Sequence, residues 1–552
     1  MSRRHRALAL ALGIALAPSL AAAAPAAPAA EPGEEGISRV LASGKVDPPR
    51  VAPPRGDEAR GPFPRLTVAN AMLVDGTGAP PNGPVTLTIE HDTITRIARS
   101  RPEDLEADGE VIDVAGGYVL PGLIDAHVHL GTPSHAAAGA LTDPEYVLKL
   151  WLAHGVTTVR DVGAVMGLGW TLEHRALAAA GEISAPRLRV HAMFPPETAT
   201  AEAAEALATA EAARSWVRAV HERGADGVKF RGARPGPFAA AMDEAKRLDM
   251  KTSYHHAQLS VVQTNVLDSA RLGLDSMEHW YGLPEAMFED RVIQDYPLDY
   301  NYGDEQDRFG EAGRLWLQAA APGSDTWRRT IDELVGLDFT LSPTFTIYEA
   351  SRDVMRARNA DWHEAYTMPY MARAFEPDPE IHGSYFFDWT TAHEVAWKRN
   401  YRRWMHFVND YKNAGGRVVA GSDAGFIYKV YGFAYIRELE LLQEAGFHPL
   451  EVLQAATLNG AELMGIDDLT GSVEVGKRAD LVIVDENPLA NFKLLYGTGH
   501  RRLNRTTGEM ERVGGVRYTV RDGIVFDAPA LLADVRELVA ARKAAEAQAA
   551  PR

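Results

Sequence analysis

The sequence predicts an α/β fold: a (β/α)8 TIM barrel with a small β-sandwich domain built from both chain ends. Three observations predict it. Eight short apolar runs alternate with helix-like amphipathic segments through the middle of the chain. Two sets of β-branched runs bracket that block, one before it and one after it. No Gly-x-Gly-x-x-Gly and no glycine-rich Lys-Ser/Thr loop follows any candidate strand, which disfavours an open nucleotide-binding sheet.

In chain order, residues 1–29 read as a signal peptide. Arg3, Arg4 and Arg6 form a basic start, Ala7 to Leu20 is apolar but short, and small residues suited to cleavage follow. The expected location is therefore periplasmic or secreted, with no stable membrane anchor, because no other run is long and apolar enough to span a bilayer. Residues 30–64, rich in Ala, Pro, Glu and Arg without periodicity, read as a partly disordered linker. Residues 65–118 carry "LTVANAMLVDG", "VTLTIEHDTITRIA" and "EVIDVAG", the first part of the β-domain. Residues 471–527 carry "ADLVIVDENP" and "VRYTVRDGIVFD", its second part, and 528–552 read as a C-terminal helix and tail.

The barrel is expected over 119–470. Its candidate strands are Gly122–His129, Val156–Asp161, Arg187–His191, Gly227–Arg231, Lys251–His255, Leu274–His279, Phe339–Phe345 and Arg417–Asp423. Segments such as Ala201–Arg223 and Ala239–Leu248 supply the helices between them. Two connections are long, 280–329 and 346–392, and both are dense in aromatic residues. Lying over the mouth of such a barrel, they are candidates for the wall of a substrate cavity.

The chain has no cysteine, so disulfides, lipoprotein anchoring and thiolate metal sites are excluded. Its formal charge of −18 argues against nucleic acid as a partner and leaves a small-molecule substrate open, as it does a homo-oligomer.

The chemistry gathers at strand ends. "LPGLIDAHVHL" places His127 and His129 two residues apart, on one face of a strand. Lys229, His255, His279 and Asp423 close later strands at the same end of the barrel, where inward side chains converge. Imidazoles with a carboxylate suit zinc or a similar divalent ion. An ammonium cannot ligate a cation, so Lys229 fits only once carbon dioxide has converted it to a carbamate, a carboxylated lysine able to bridge two metals. Such ions activate water and polarise a carbonyl, and Asp423 can accept the water's proton and pass it to a leaving nitrogen.

This constellation resembles the amidohydrolase superfamily. The resemblance rests on "LPGLIDAHVHL", "HGVTTVRDVG", "GADGVKF", "LDSMEHW", "VVAGSDAG" and "ATLNGAELMGIDDLTGSVEVGKRADLVIVDENPL". Within the superfamily the chain is similar to imidazolonepropionase-like and Xaa-Pro dipeptidase-like members. The resemblance implies that His127, His129 and Asp423 hold one metal, that His255 and His279 hold the other, and that Lys229 bridges them. The fifth strand departs from the usual His-Ala-His pattern: "KTSYHHAQ" offers His255 or His256, of which only one can face the metals. Arg231 and Tyr254 are candidates for substrate contact. Asp125 lies deeper on the strand face of the two histidines, His154 caps a helix, and Arg437 and Glu438 make surface or supporting contacts.

The expected function is an exported binuclear-metal amidohydrolase acting on an amide or peptide C–N bond, of a dipeptide or N-acyl amino acid. The alternatives are a hydrolase of a cyclic amide, lactone or phosphotriester with the same metals, a deaminase, or a non-catalytic exported binding protein.

Overall fold

Eight parallel strands follow one another around a sheet in chain order: Leu123–Val128, Val156–Gly163, Arg187–Phe194, Gly227–Arg231, Lys251–His255, Ser276–Glu278, Thr340–Ser342 and Arg417–Val418. They are called the first to eighth barrel strands below. In this computed structural model the described residues are 46–195, 205–379 and 388–549, with 40, 41, 44, 381, 383, 385 and 386 besides. The expected signal peptide lies outside them.

The sheet closes on itself. Ala126 N donates to Ala420 O, and Asp423 N donates to His127 O, at 2.9 Å each, joining the last strand's continuation to the first strand. Gly421 makes this approach possible, since a Cβ there would lie 2.7 Å from the Cβ of His127. Strand alternation then sorts the side chains. On the fourth strand Val228 and Phe230 point outward into the main apolar core, and Lys229 points into the barrel. The inner and outer faces of the fifth strand divide in the same way.

The strands from the two chain ends make one mixed sheet of nine strands. Its path runs Ala59–Arg60, Ile524–Asp527, Val516–Arg521, Leu481–Val484, Tyr118–Pro121, Leu66–Leu73, Asn82–Glu90 and Thr93–Arg99, with Glu110–Asp113 paired beside Leu66–Leu73. The sequence leads one to expect a sandwich. Instead Leu481–Val484 pairs antiparallel with Tyr118–Pro121 and stitches both ends into a continuous sheet. Leu481 and Ile483 enter this sheet's own core, while Val482 and Val484 enter the barrel's core. One strand thus glues the two layers. The stretch expected as linker contributes Ala59–Arg60 to the sheet edge, and Ala52 N donates to His174 Nε2 at 3.1 Å.

The two long connections fold into short helices. Leu283–Ala286, Glu305–Ala312, Leu315–Gln318 and Asp325–Gly336 follow the sixth strand. Glu349–Arg358, His363–Tyr366 and Pro369–Phe375 follow the seventh. The last helix is Ala528–Ala549. No helix among the described residues is long and apolar enough to cross a membrane.

Candidate metal centre and active site

At the C-terminal end of the barrel a cavity of about 1020 Å³ opens to solvent. His127, His129, Lys229, His255, His279 and Asp423 all line it. The nearest approaches are around Asp423. Its Oδ1 lies 3.6 Å from His127 Nε2 and 3.4 Å from His129 Nε2, and its Oδ2 lies 3.7 Å from His279 Nε2. One potential ligand atom from each of His127, His129 and Asp423 falls within 4.8 Å of the others. The rings of His127 and His279 are 4.9 Å apart between centroids, and those of His255 and His279 are 4.5 Å apart. The six predicted ligands therefore stand together.

Two of them adopt backbone that ordinary residues avoid. His279 has φ of 65° and Asp423 has φ of 47°, both in the left-handed region. Thr344, at φ 50°, does the same beside them. Such positions persist only where the surroundings hold them, and they gather at functional sites. The turn at His279 has a direct consequence. Ser276 and Glu278 face the barrel interior by alternation, and the left-handed step brings the next residue, His279, to the cavity as well.

Glu278 is a residue the sequence reading did not single out. It is fully buried and accepts bonds from His127 Nδ1 (2.5 Å), Arg160 Nη2 (2.7 Å) and Ser276 Oγ (2.9 Å). Burial opposes its charge, yet Arg160, Lys229 and His127 hold it well below the usual carboxylate range. Arg160 in turn donates to Ala126 O (2.6 Å) and Ser276 Oγ (2.9 Å). The imidazole Nδ1 of His279 lies 2.6 Å from Thr344 Oγ1. Fixing the Nδ1 side of each ring leaves Nε2 turned to the cavity, the arrangement by which outer partners orient metal-binding histidines. In hindsight the signal in "LDSMEHW" is a carboxylate locked next to a histidine, though nothing in the spacing says both face inward.

The structure separates the candidates on the fifth strand. His255 lines the cavity. His256 points to the opposite face, where its Nε2 lies 2.8 Å from Ser269 Oγ and its ring stacks on Tyr254 at 4.0 Å. Tyr254 shares that outer face with Phe230 and Phe238 and does not line the cavity, which removes it from the substrate-contact candidates. Arg231, paired in register with His255, does line it. Asp125 sits deeper in the barrel than His127 and His129, accepting from Ser422 N (2.8 Å) and Ser422 Oγ (2.6 Å), and burial pushes its pKa up to about 8. His154 caps the helix Pro144–Ala153, its Nδ1 2.8 Å from Leu150 O. Arg437 and Glu438 are buried rather than on the surface.

The donor set fits divalent metal. Burial pushes the His127 imidazole down to about 4 and the His279 imidazole well below its ordinary value, so both are neutral and able to ligate. Burial also opposes the Asp423 carboxylate, but its bond to the His129 imidazole, whose own pKa that bond raises, helps hold it far below its usual range, ionised. Lys229 is the decisive member. Its Nζ is buried without a hydrogen-bond partner, and burial brings its pKa down to about 8. A buried amine without a hydrogen-bond partner is costly as an ammonium, and the lowered pKa brings the neutral form, which carbamate formation requires, within easier reach. His127, His129, Lys229, His255, His279 and Asp423 are the residues that would hold the ions.

The amidohydrolase family model matches residues 118–293 and 403–525, more than half of the chain. The chain belongs to the amidohydrolase family. An adenine deaminase of Leuconostoc citreum (strain KM20) is 34% identical over 116 residues, 20% of this amidohydrolase and 18% of the deaminase. The chain thus spans less than a fifth of the length of the curated relatives it matches first. Among solved structures, a Xaa-Pro dipeptidase with methionine bound in its active site superposes with a TM-score of 0.55 at 17% identity, covering 84% of this chain and 100% of that one. Bottromycin amidohydrolase superposes with a TM-score of 0.57 at 19% identity, covering 93% and 94%. At these identities the superpositions establish a shared fold.

Proposed function

We propose that this amidohydrolase is an exported enzyme that uses two divalent metals, zinc by the nature of its donors, to hydrolyse an amide or peptide C–N bond. The substrate class is a dipeptide or N-acyl amino acid. The observation that carries the reading is the buried, unpartnered Lys229 amine, set in one cavity with four histidines and Asp423. As its carbamate, Lys229 would join the two halves of the ligand set.

When bound, the metals would supply Lewis acidity to the scissile carbonyl and lower the pKa of a water. The chain's own residues do the rest. Asp423, ionised and facing three imidazoles, can take a proton from an attacking water and deliver it to the leaving nitrogen. Glu278 and Thr344 keep the His127 and His279 rings from rotating. Above the ligands, Tyr281, Tyr302, Phe309, Tyr348 and Phe426 provide apolar and aromatic walls. Arg231 and Arg308 bring positive charge to the same walls and suit a substrate carboxylate. Arg308 is held over the rings of Tyr302 (5.2 Å) and Phe309 (4.6 Å) and bonded to Glu305 at 2.6 Å. A guanidinium so braced is preorganised.

The test is a panel of dipeptides, N-acyl amino acids, cyclic amides, lactones and phosphotriesters offered to the zinc-loaded chain. Saturable release of an amine from a linear amide, abolished in Asp423→Asn, is the expected result. Turnover of only a lactone or phosphotriester would replace the amide reading. Equal turnover by wild type and Asp423→Asn would overturn the mechanism.

A further inference from the structure

Behind the wall formed by Tyr348 and Ile427 lies a second cavity, about 1100 Å³ and open to solvent, which the proposed reaction does not use. The next residues along the chain line it: Glu349 after Tyr348, and Tyr428 and Lys429 after Ile427. Further walls come from the end of the helix Glu349–Arg358 and the residues after it to Trp362, from the helix Phe433–Ala445, from the turn Phe492–Leu495, and from the hairpin His500–Leu503 with Met510–Val513.

The cavity's carboxylates are already satisfied. Glu349 lies 2.6 Å from Lys429 Nζ and 2.7 Å from Arg437 Nη2. Glu440 lies 2.8 Å from Arg437 Nη1 and accepts from the Tyr496 hydroxyl at 2.8 Å. Asp361, at the rim, lies 2.8 Å from Arg512 Nη2. Cations remain. Arg356 comes no closer than 3.7 Å to a carboxylate, and Arg501 no closer than 3.8 Å. Lys493 makes no ion pair among the described residues. Arg356, Lys429, Arg437, Lys493, Arg501 and Arg512 thus share the cavity lining with three carboxylates, Glu349, Glu440 and Asp361, while Glu444 reaches Arg437 from outside the lining at 3.8 Å, in a chain whose formal charge is −18. Trp362 and Tyr496, with ring centroids 5.3 Å apart, add an aromatic side.

We propose that this second cavity binds a small polyanion carrying carboxylate or phosphate groups, gripped by Arg356, Lys493 and Arg501. An excess of positive charge concentrated in a concave, aromatic-sided site is what such an anion needs, and guanidinium forks match carboxylate and phosphate oxygens in pairs. The three cations are exposed, so the affinity weakens as salt screens them.

The test uses the full chain and two weakly chelating probes, isophthalate for the carboxylate arm and phenyl phosphate for the phosphate arm. Calorimetry at low salt is expected to show saturable binding of at least one probe. The Lys493→Glu/Arg501→Glu double variant is expected to weaken it by about tenfold or more. Reversal of a distant exposed charge, Arg329→Glu, is expected to leave it intact. Trp362→Phe is expected to remove the accompanying change in tryptophan fluorescence while the heat of binding persists. Should the double variant fail to fold by circular dichroism, Lys493→Ala serves in its place with a smaller loss. The proposal is overturned if neither probe binds saturably, if binding is unchanged in the rim variants, or if Arg329→Glu weakens it equally.

Discussion

His255 and His256 close the fifth barrel strand, and Glu278 and His279 close the sixth, yet the two adjacent pairs are used differently. The first pair splits across the sheet: His255 enters the cavity and His256 stacks on Tyr254 on the outer face. The second pair stays together, because the left-handed backbone at His279 follows an inward-facing Glu278. Alternation therefore governs side chains inside a strand and stops governing them at its end. A cavity-facing histidine and the carboxylate that orients another cavity-facing histidine can then be sequence neighbours.

The largest expected effect comes from breaking the second pair. Glu278→Ala leaves the Arg160 guanidinium buried without its carboxylate and frees the His127 ring. A loss of about 3–5 kcal/mol in stability is expected by urea denaturation, with metal affinity reduced about tenfold or more. His256→Ala probes the outer face of the first pair. It is expected to cost about 1–3 kcal/mol through the lost Ser269 bond and Tyr254 stack, with metal content unchanged, whereas His255→Ala should lose metal. Loss of metal in His256→Ala alone would reverse the assignment of the two faces.

Thr344→Val removes the partner of His279 Nδ1 together with the hydroxyl's 2.6 Å bond to Pro343 O. Metal affinity is expected to fall about tenfold, read by competition with a chromophoric chelator, with little change in unfolding. The subtlest effect concerns Glu438, which braces the segment after Thr344 by accepting from Phe345 N (2.9 Å) and Thr346 N (2.7 Å). Burial raises its pKa to about 7. A carboxyl raised in the folded state favours folding most at low pH, and that contribution is lost as pH rises through its folded pKa. Relative to Glu438→Gln, the wild type should lose about 1 kcal/mol between pH 6 and 8. A constant difference across that range would show that Glu438 does not titrate there.

Much of this was legible because it depends on local periodicity. The eight strands, the shared face of His127 and His129, and the convergence at strand ends follow from alternation and from the common polarity of parallel strands. The rest depends on tertiary context. No glycine or asparagine marks His279 or Asp423 as left-handed, so the doubling of inward residues on the sixth strand has no local signature. Arg160, in "TTVRDV", meets Glu278 only because the barrel brings the second and sixth strands together across its interior. Tyr254 is next to the cavity-facing His255 in sequence and on the opposite face in space. Two blocks of strand-like sequence likewise do not say whether they pair: Leu481–Val484 against Tyr118–Pro121 makes one sheet where two were expected.

The central claim is that Lys229 completes a two-metal site, and metal analysis of the full chain tests it most directly. After loading with zinc in bicarbonate and removal of free ion, the wild type should retain about two equivalents per chain. Lys229→Ala, folded by circular dichroism, should retain about one or none. Retention of no divalent ion by the wild type, or of the same two equivalents by Lys229→Ala, would contradict the account.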